Sequence, residues 1–399
     1  MRMRMLSLLW IMTTIMLSVQ YGARAQDKAG EGSSQHDFEA YRAQQRAELA
    51  TFRTQSQSEF ETWQANDEKQ FKAFRKEVMR QWGDYVGSTP ATWVEYGKAE
   101  KTRSIVDFKK GIVTVQVLVR KGAAMLPVAK KQLEAAVEKI VASRGTASPA
   151  PASADASVEP VLPQPVLTNQ VVDASGVTVT ANNATSFAQQ VVGETEPEKA
   201  AAGDGTEEKY TLSFPLVPDH LARRMAPFVP LVKKYCATYD LKTSQVLAMI
   251  HTESYFNPMA ASSSNAIGLM QLVPQKGAAE AYQFVTNDAS FSVVPRESLF
   301  DPETNIRLGC AYLYLLKTRD FGDVTNKDCG MYCSIAGYNG GPACVAYAFT
   351  GDSKLPRAIR SINSMNDADK VYLFLVRNLP SAETRQYLEN VVQRTRLYE

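Results

Sequence analysis

Aromatic residues recur every eleven positions near the N-terminus, and that spacing constrains the fold more than any other feature. Phe38, Leu49, Phe60, Phe71 and Trp82 form one series, and Tyr41, Phe52, Trp63, Phe74 and Tyr85 form a second. Eleven residues make about three helical turns at roughly 3.67 residues per turn, so both series stay on one face. The residues between them are mostly Gln, Glu, Lys, Arg and Ala, which suit the wet faces of a helix. The spacing predicts a long aromatic-striped helix across 38–85, within a segment spanning 26–89. Gly83 and Gly87 supply its stop signal. The stripe packs on another helix or the next domain, or it mediates self-association or a protein partner through a weakly right-handed coil.

The first 25 residues have a different character. Arg2 and Arg4 precede an apolar run from Leu6 to Val19, and Ala23-Arg24-Ala25 offers a small-x-small cleavage site. This pattern predicts a secretory signal peptide over 1–25, since the apolar run is too short for a typical membrane span. No cysteine precedes Cys236, so no lipid-modified N-terminal cysteine is expected. With 44 Lys and Arg against 42 Asp and Glu, there is no charge excess that would argue for nucleic acid. The five cysteines (Cys236, Cys310, Cys329, Cys333, Cys344) form no CxxC pair, which leaves one or two disulfides or plain buried thiols, and no zinc site.

Between 90 and 217 the pattern predicts a small α/β domain. Ile112 to Val119 is a β-branched strand signal bounded by glycines, and a helix follows from about Val128 to Ser143. An Ala/Pro/Ser-rich insert covers 145–165. Val177 to Thr180 reads as a short strand, 194–209 as loop, and Tyr210 to Val217 as a strand. From 218 to 399 helix signals dominate, centred near residues 229, 248, 275, 312, 336, 358 and 387. The fold class is therefore α+β, with an all-α domain last.

One acidic residue of that last domain stands in an apolar setting. On the helix from about Ser244 to Tyr255, Val246, Ile250 and Glu253 fall on one stripe. A carboxyl there loses solvation of its charged form, which raises its pKa and suits a general acid. Position alone does not separate catalysis from a half-exposed domain edge. The segments that follow do: Glu253-Ser254, then Ser262, Gly268-Leu269-Met270-Gln271, Gly337-Tyr338-Asn339-Gly340-Gly341, and Glu383-Thr384-Arg385-Gln386-Tyr387. In this order they resemble the lytic murein transglycosylases of the soluble-lytic type, with Gly337 where alanine is usual. Upstream, Tyr96-Gly97, Arg103 to Phe108 and the strand after Gly111 look like the N-terminal domain of the membrane-bound lytic murein transglycosylase C group. That group's lipoprotein cysteine is missing here.

The resemblance implies a lysozyme-like fold over 218–399 and an enzyme that needs no cofactor, while the signal peptide, with no lipid-bearing cysteine, predicts a periplasmic protein at most peripheral to the membrane. The resemblance also implies peptidoglycan glycan strands as substrate. Glu253 would be the catalytic acid and base, cutting the β-1,4 bond between N-acetylmuramic acid and N-acetylglucosamine to leave a 1,6-anhydro end. By the same likeness Ser262, Gln271, Tyr338, Asn339 and Tyr387 are substrate-binding, with Tyr387 reaching the catalytic carboxyl. Each also has a structural reading: capping or loop bonding for Ser262 and Gln271, helix packing for Tyr387. Asp301 reads as a helix N-cap and as the first second carboxylate to check. The sequence leaves two rival readings. One is a hydrolytic lysozyme-type muramidase with a second carboxylate; the other is a non-catalytic wall-binding scaffold.

Overall fold

The computed structural model of the chain describes residues 43–44, 69–97, 99, 101–122, 125–144, 164–262, 264–290 and 292–399. The chain divides into two compact units, 1–72 and 73–399. In the first, residues 43–44 and 69–72 are described, and they are helical. The leader, most of the eleven-residue repeat and most of the 145–165 insert lie outside the described residues.

The second unit opens with helical residues 73–82, which carry the last repeat positions. Helix ends there, and Gly83 takes a left-handed φ of +81°. Phe74 and Trp82 are buried. Phe74 packs edge-on against Tyr96 at 5.3 Å, and Tyr85 stacks on the same ring at 6.2 Å. This end of the stripe thus covers a sheet.

That sheet begins with β1 (Thr92–Tyr96), β2 (Thr102–Asp107) and β3 (Ile112–Arg120). Two helices follow, α1 (Leu126–Ala142) and α2 (Ala184–Glu194), then β4 (Glu198–Ala201) and β5 (Glu207–Pro215). The strand order is β1-β2-β3-β5-β4, and every neighbouring pair is antiparallel. Strand alternation sends Val113, Val115, Val117 and Val119 into one core with Leu133, Val137 and Ile140 of α1. On the other face Arg103 is buried beside Gln116, bonded to it at 2.8 Å, and lies 4.5 Å from the Trp82 ring.

Two expectations fail here. Val177 to Thr180 forms no strand, only an isolated bridge between Val172 and Thr178. The polar 194–209 stretch is not all loop, because β4 occupies Glu198–Ala201 and β5 starts at Glu207. All four β4 residues are exposed at the sheet edge, so no apolar signal marks them.

The remainder is helical: α3 (His220–Met225), α4 (Val229–Tyr239), α5 (Thr243–Ser254), α6 (Gly277–Thr286), α7 (Arg296–Leu299) and α8 (Pro302–Leu315) come first. Then come α9 (Lys327–Gly340), α10 (Pro342–Thr350), α11 (Leu355–Met365), α12 (Ala368–Asn378) and α13 (Ala382–Thr395). The helix expected near 275 sits later, as α6, and the α7, α10 and α12 helices are additional. Residues Val246 to His251 of α5 are all buried, so this helix is central and not merely striped. The five cysteines are unbridged, and four are buried. Core residues of the sheet layer and of the 259–308 region (Val115, Phe214, Met259, Ile267, Leu272, Leu308) belong to one apolar cluster.

Candidate active site

Glu253 lies one residue before the end of α5. The helix stops because Tyr255 and Phe256 both take left-handed φ, +49° and +56°. Two consecutive non-glycine residues in this region are sterically costly and must be held by their surroundings. The Tyr255 N–H donates to the His251 carbonyl at 3.2 Å, and the Tyr255 hydroxyl accepts from Arg394 at 2.9 Å. His251 meets the Tyr398 hydroxyl at 2.9 Å on the same side. Burial holds the His251 pKa down at about 4, with Arg394 adding to the effect, so its ring is neutral at pH 7.

The residue after Glu253 binds the next motif to the helix. Ser254 is fully buried, and its hydroxyl donates to the carbonyls of Ile250 at 3.1 Å and Leu269 at 2.8 Å. Gly268 turns that segment with φ +76°. A Cβ there would stand 2.3 Å from the Asn305 amide nitrogen and 2.4 Å from the Leu299 carbonyl, so only glycine fits. Asn305 on α8 is fully buried and pins the turn. Its amide donates to Ile267 and Leu299 carbonyls at 2.9 and 2.7 Å, and its oxygen accepts from Met270 N–H at 2.8 Å.

Gln271 is buried with φ +46°, and its side-chain amide donates to the carbonyls of Gly268 at 3.0 Å and Ala260 at 3.2 Å. The Ser262 hydroxyl accepts from Ala266 N–H at 3.0 Å and meets Ser264 at 2.9 Å. Both side chains therefore brace the loop that faces the helix end. The Tyr338 hydroxyl donates to the Met270 carbonyl at 2.9 Å. The Asn339 side-chain oxygen accepts from the Thr384 hydroxyl at 2.8 Å.

Glu253, Tyr338 and Tyr387 come together electrostatically. Glu253 keeps part of its surface open. Its carboxyl is nevertheless desolvated, which raises its pKa to about 8. The Tyr387 hydroxyl opposes that rise, and the charge of Glu383 adds to it. Tyr387 itself is buried, and its hydroxyl completes no hydrogen bond of normal geometry. It stands near the carboxyl without being locked to it. Burial, then the Glu253 charge, push the Tyr338 and Tyr387 phenols well above their ordinary pKa, so both remain neutral donors. A carboxylic acid that is protonated near neutral pH can give a proton to a leaving oxygen and then take one back.

Asp301 is spent on structure, as its side chain caps α8 by accepting from Thr304 N–H at 2.8 Å. Arg385 donates to the carbonyls of Leu379 and Pro380. Sequence reasoning missed Asn305, His251 and Arg394. Asn305 had a signal, being a polar residue on the apolar stripe of Leu308 and Tyr312.

The profile of the Transglycosylase SLT domain family matches residues 230–359, and the N-terminal domain family of membrane-bound lytic murein transglycosylase C matches residues 54–226. The membrane-bound lytic murein transglycosylase C of Pectobacterium atrosepticum is 33% identical over 303 residues, covering 76% of this chain and 81% of that protein. Its counterpart from Serratia proteamaculans is 32% identical over 303 residues, covering 76% and 80%. The chain belongs to the membrane-bound lytic murein transglycosylase C family. It is an enzyme, a lytic murein transglycosylase. Among solved structures, the 70 kDa soluble lytic transglycosylase of Escherichia coli is 27% identical over 45% of this chain and 25% of that chain, with a TM-score of 0.34. The matched stretch 230–359 contains Glu253, Ser262, the Gly268–Gln271 segment and Tyr338-Asn339. Among the described residues, no helix is long and apolar enough to cross a membrane.

Proposed function

We propose that the protein cleaves the β-1,4 bond between N-acetylmuramic acid and N-acetylglucosamine in peptidoglycan, with Glu253 as the single acid and base. The observation that carries this reading is the desolvated, partly exposed Glu253 carboxyl, with a pKa of about 8, at the C-terminal end of a central helix. In the first step the neutral Glu253 protonates the glycosidic oxygen, and the bond to C1 of the muramic residue breaks. The substrate's 2-acetamido oxygen stabilises the positive charge that develops at C1. In the second step the Glu253 carboxylate takes the proton of the muramic 6-hydroxyl, whose oxygen bonds to C1. Glu253 returns to its starting state, and a 1,6-anhydro end forms without water. An internal nucleophile of high effective concentration removes the need for a second carboxylate. Asp301, committed to its helix cap, favours this over a two-carboxylate hydrolysis.

Tyr387 steadies the carboxyl and supplies a neutral donor beside it. Asn339 offers its amide nitrogen to an N-acetyl group, with Tyr338 on the same wall. Ser262 and Gln271 support sugar contacts chiefly through the loop they brace. The domain arrangement proposed is a signal peptide (1–25), a repeat helix (26–89), an α/β domain (90–217) and a catalytic domain (218–399), placing the mature protein in the periplasm. Digestion of purified sacculi followed by mass spectrometry tests the chemistry. Anhydromuramic ends from wild type, none from Glu253→Gln and little change with Asp301→Asn are expected. Reducing ends would place the protein among hydrolases.

A further inference from the structure

Arg224 of α3 is buried to 4% exposure, yet none of its partners is charged. Its Nε donates to the Tyr255 carbonyl at 2.9 Å, and its Nη1 donates to the Gln170 side-chain oxygen at 3.2 Å. The guanidinium lies 3.4 Å from the centre of the Phe108 ring, and its Nη2 has no partner. Burial pulls its pKa down to about 9. A lone buried cation is expensive, and a well-packed apolar side chain is the usual cheaper occupant. The guanidinium is retained where it touches two layers at once. Phe108 follows β2 at the sheet, and Gln170 is anchored by its amide on the Val166 carbonyl at 2.7 Å. Tyr255 is the first residue past the Glu253 helix, and it begins the strained left-handed pair with Phe256.

We propose that Arg224 is a positioning residue, through which the N-terminal sheet layer holds the end of the helix that presents Glu253. Arg224 and Arg394 grip Tyr255 from two sides, one at its carbonyl and one at its hydroxyl. Together they keep a backbone that would otherwise relax, and with it the depth at which Glu253 sits. The shared apolar cluster makes the sheet layer a rigid platform for this grip. The N-terminal layer is then part of the catalytic apparatus without touching substrate. This inference rests on Glu253 being the catalytic acid.

The test uses the full chain and soluble uncross-linked glycan strands. Arg224→Met keeps the length and loses the fork; Arg224→Lys keeps the charge. The charged or titratable groups facing Glu253 are Tyr387 and Glu383 from α13 and Tyr338 from α9, and His220 neighbours Arg224. Arg224→Met should lower kcat by about 10- to 100-fold with KM within about twofold, as expected when a reacting group is displaced by about 1 Å. Its alkaline limb should move to lower pH as water reaches Glu253. Arg224→Lys should recover part of kcat. Phe108→Leu, which alters only the sheet side of the grip, should shift both readouts in the same direction as Arg224→Met. If Arg224→Met fails to fold, the Lys and Leu variants give the answer. A folded Arg224→Met with wild-type kcat and wild-type pH limb overturns the proposal, whatever its melting temperature. Glu253→Gln runs in parallel: retained activity there would instead overturn the assignment of Glu253.

Discussion

Replacing Glu253 by glutamine should stabilise the protein, and the gain should depend on pH. In the folded chain the carboxyl holds its proton up to pH about 8, against an ordinary value of 4.5. Below 4.5 both the folded and unfolded chains are protonated at this site, and burial carries no ionisation penalty. Between 4.5 and about 8 the unfolded chain has released a proton that the folded chain retains, so stability falls as pH rises. The full displacement corresponds to at most about 5 kcal/mol, at about 1.4 kcal/mol per pH unit. Glu253 keeps part of its surface in water, so roughly half of that, about 2–3 kcal/mol, is the expected effect. Glutamine does not titrate. The stability gap between Glu253→Gln and wild type should therefore be small near pH 4 and widen steadily to its full size by about pH 8.5. Urea unfolding of both proteins across that range measures it. A gap that stays flat with pH would refute the claim that desolvation sets the state of this carboxyl.

Two further substitutions probe the surroundings of that carboxyl. Tyr387→Phe removes a hydroxyl that lowers the Glu253 pKa across a contact short of normal hydrogen-bond geometry, so the alkaline limb of activity should move up in pH. Stability should stay the same or rise by up to about 1 kcal/mol, readable in the same urea titrations. Gly268→Ala forces a side chain into a left-handed backbone and against Asn305 and Leu299, and should cost roughly 2–5 kcal/mol in thermal or urea melts.

Local chemistry made some of this legible in advance. Asp301 reads as a cap because Asp-Pro-Glu-Thr places an acceptor where the first turn exposes N–H groups, and the bond to Thr304 is present. Glu253 stands out because a charged residue interrupts an apolar stripe within four ordered motifs. Features that depend on tertiary contact gave no such signal. The β4 strand is exposed and polar, so nothing distinguishes Glu198–Ala201 from loop. Arg224 sits beside Arg223 in what looks like a wet basic pair, and only the packing of α3 between Phe108 and Tyr255 buries it. Ser262 and Gln271 have the residue types of sugar ligands, but their side chains are engaged by neighbouring backbone. The spacing predicts a helix for the repeat, of which 43–44 and 69–82 are described and helical, yet which surface its last aromatics cover emerges only where Phe74 meets Tyr96.

The fate of water tests the central claim most directly. Glycan strands are digested in water enriched in the heavy oxygen isotope, and the new muramic ends are weighed. Closure by the 6-hydroxyl, driven by Glu253, predicts anhydro ends with no isotope incorporated, and no new ends from Glu253→Gln. One heavy oxygen in each new end, or undiminished cleavage by Glu253→Gln, would contradict it.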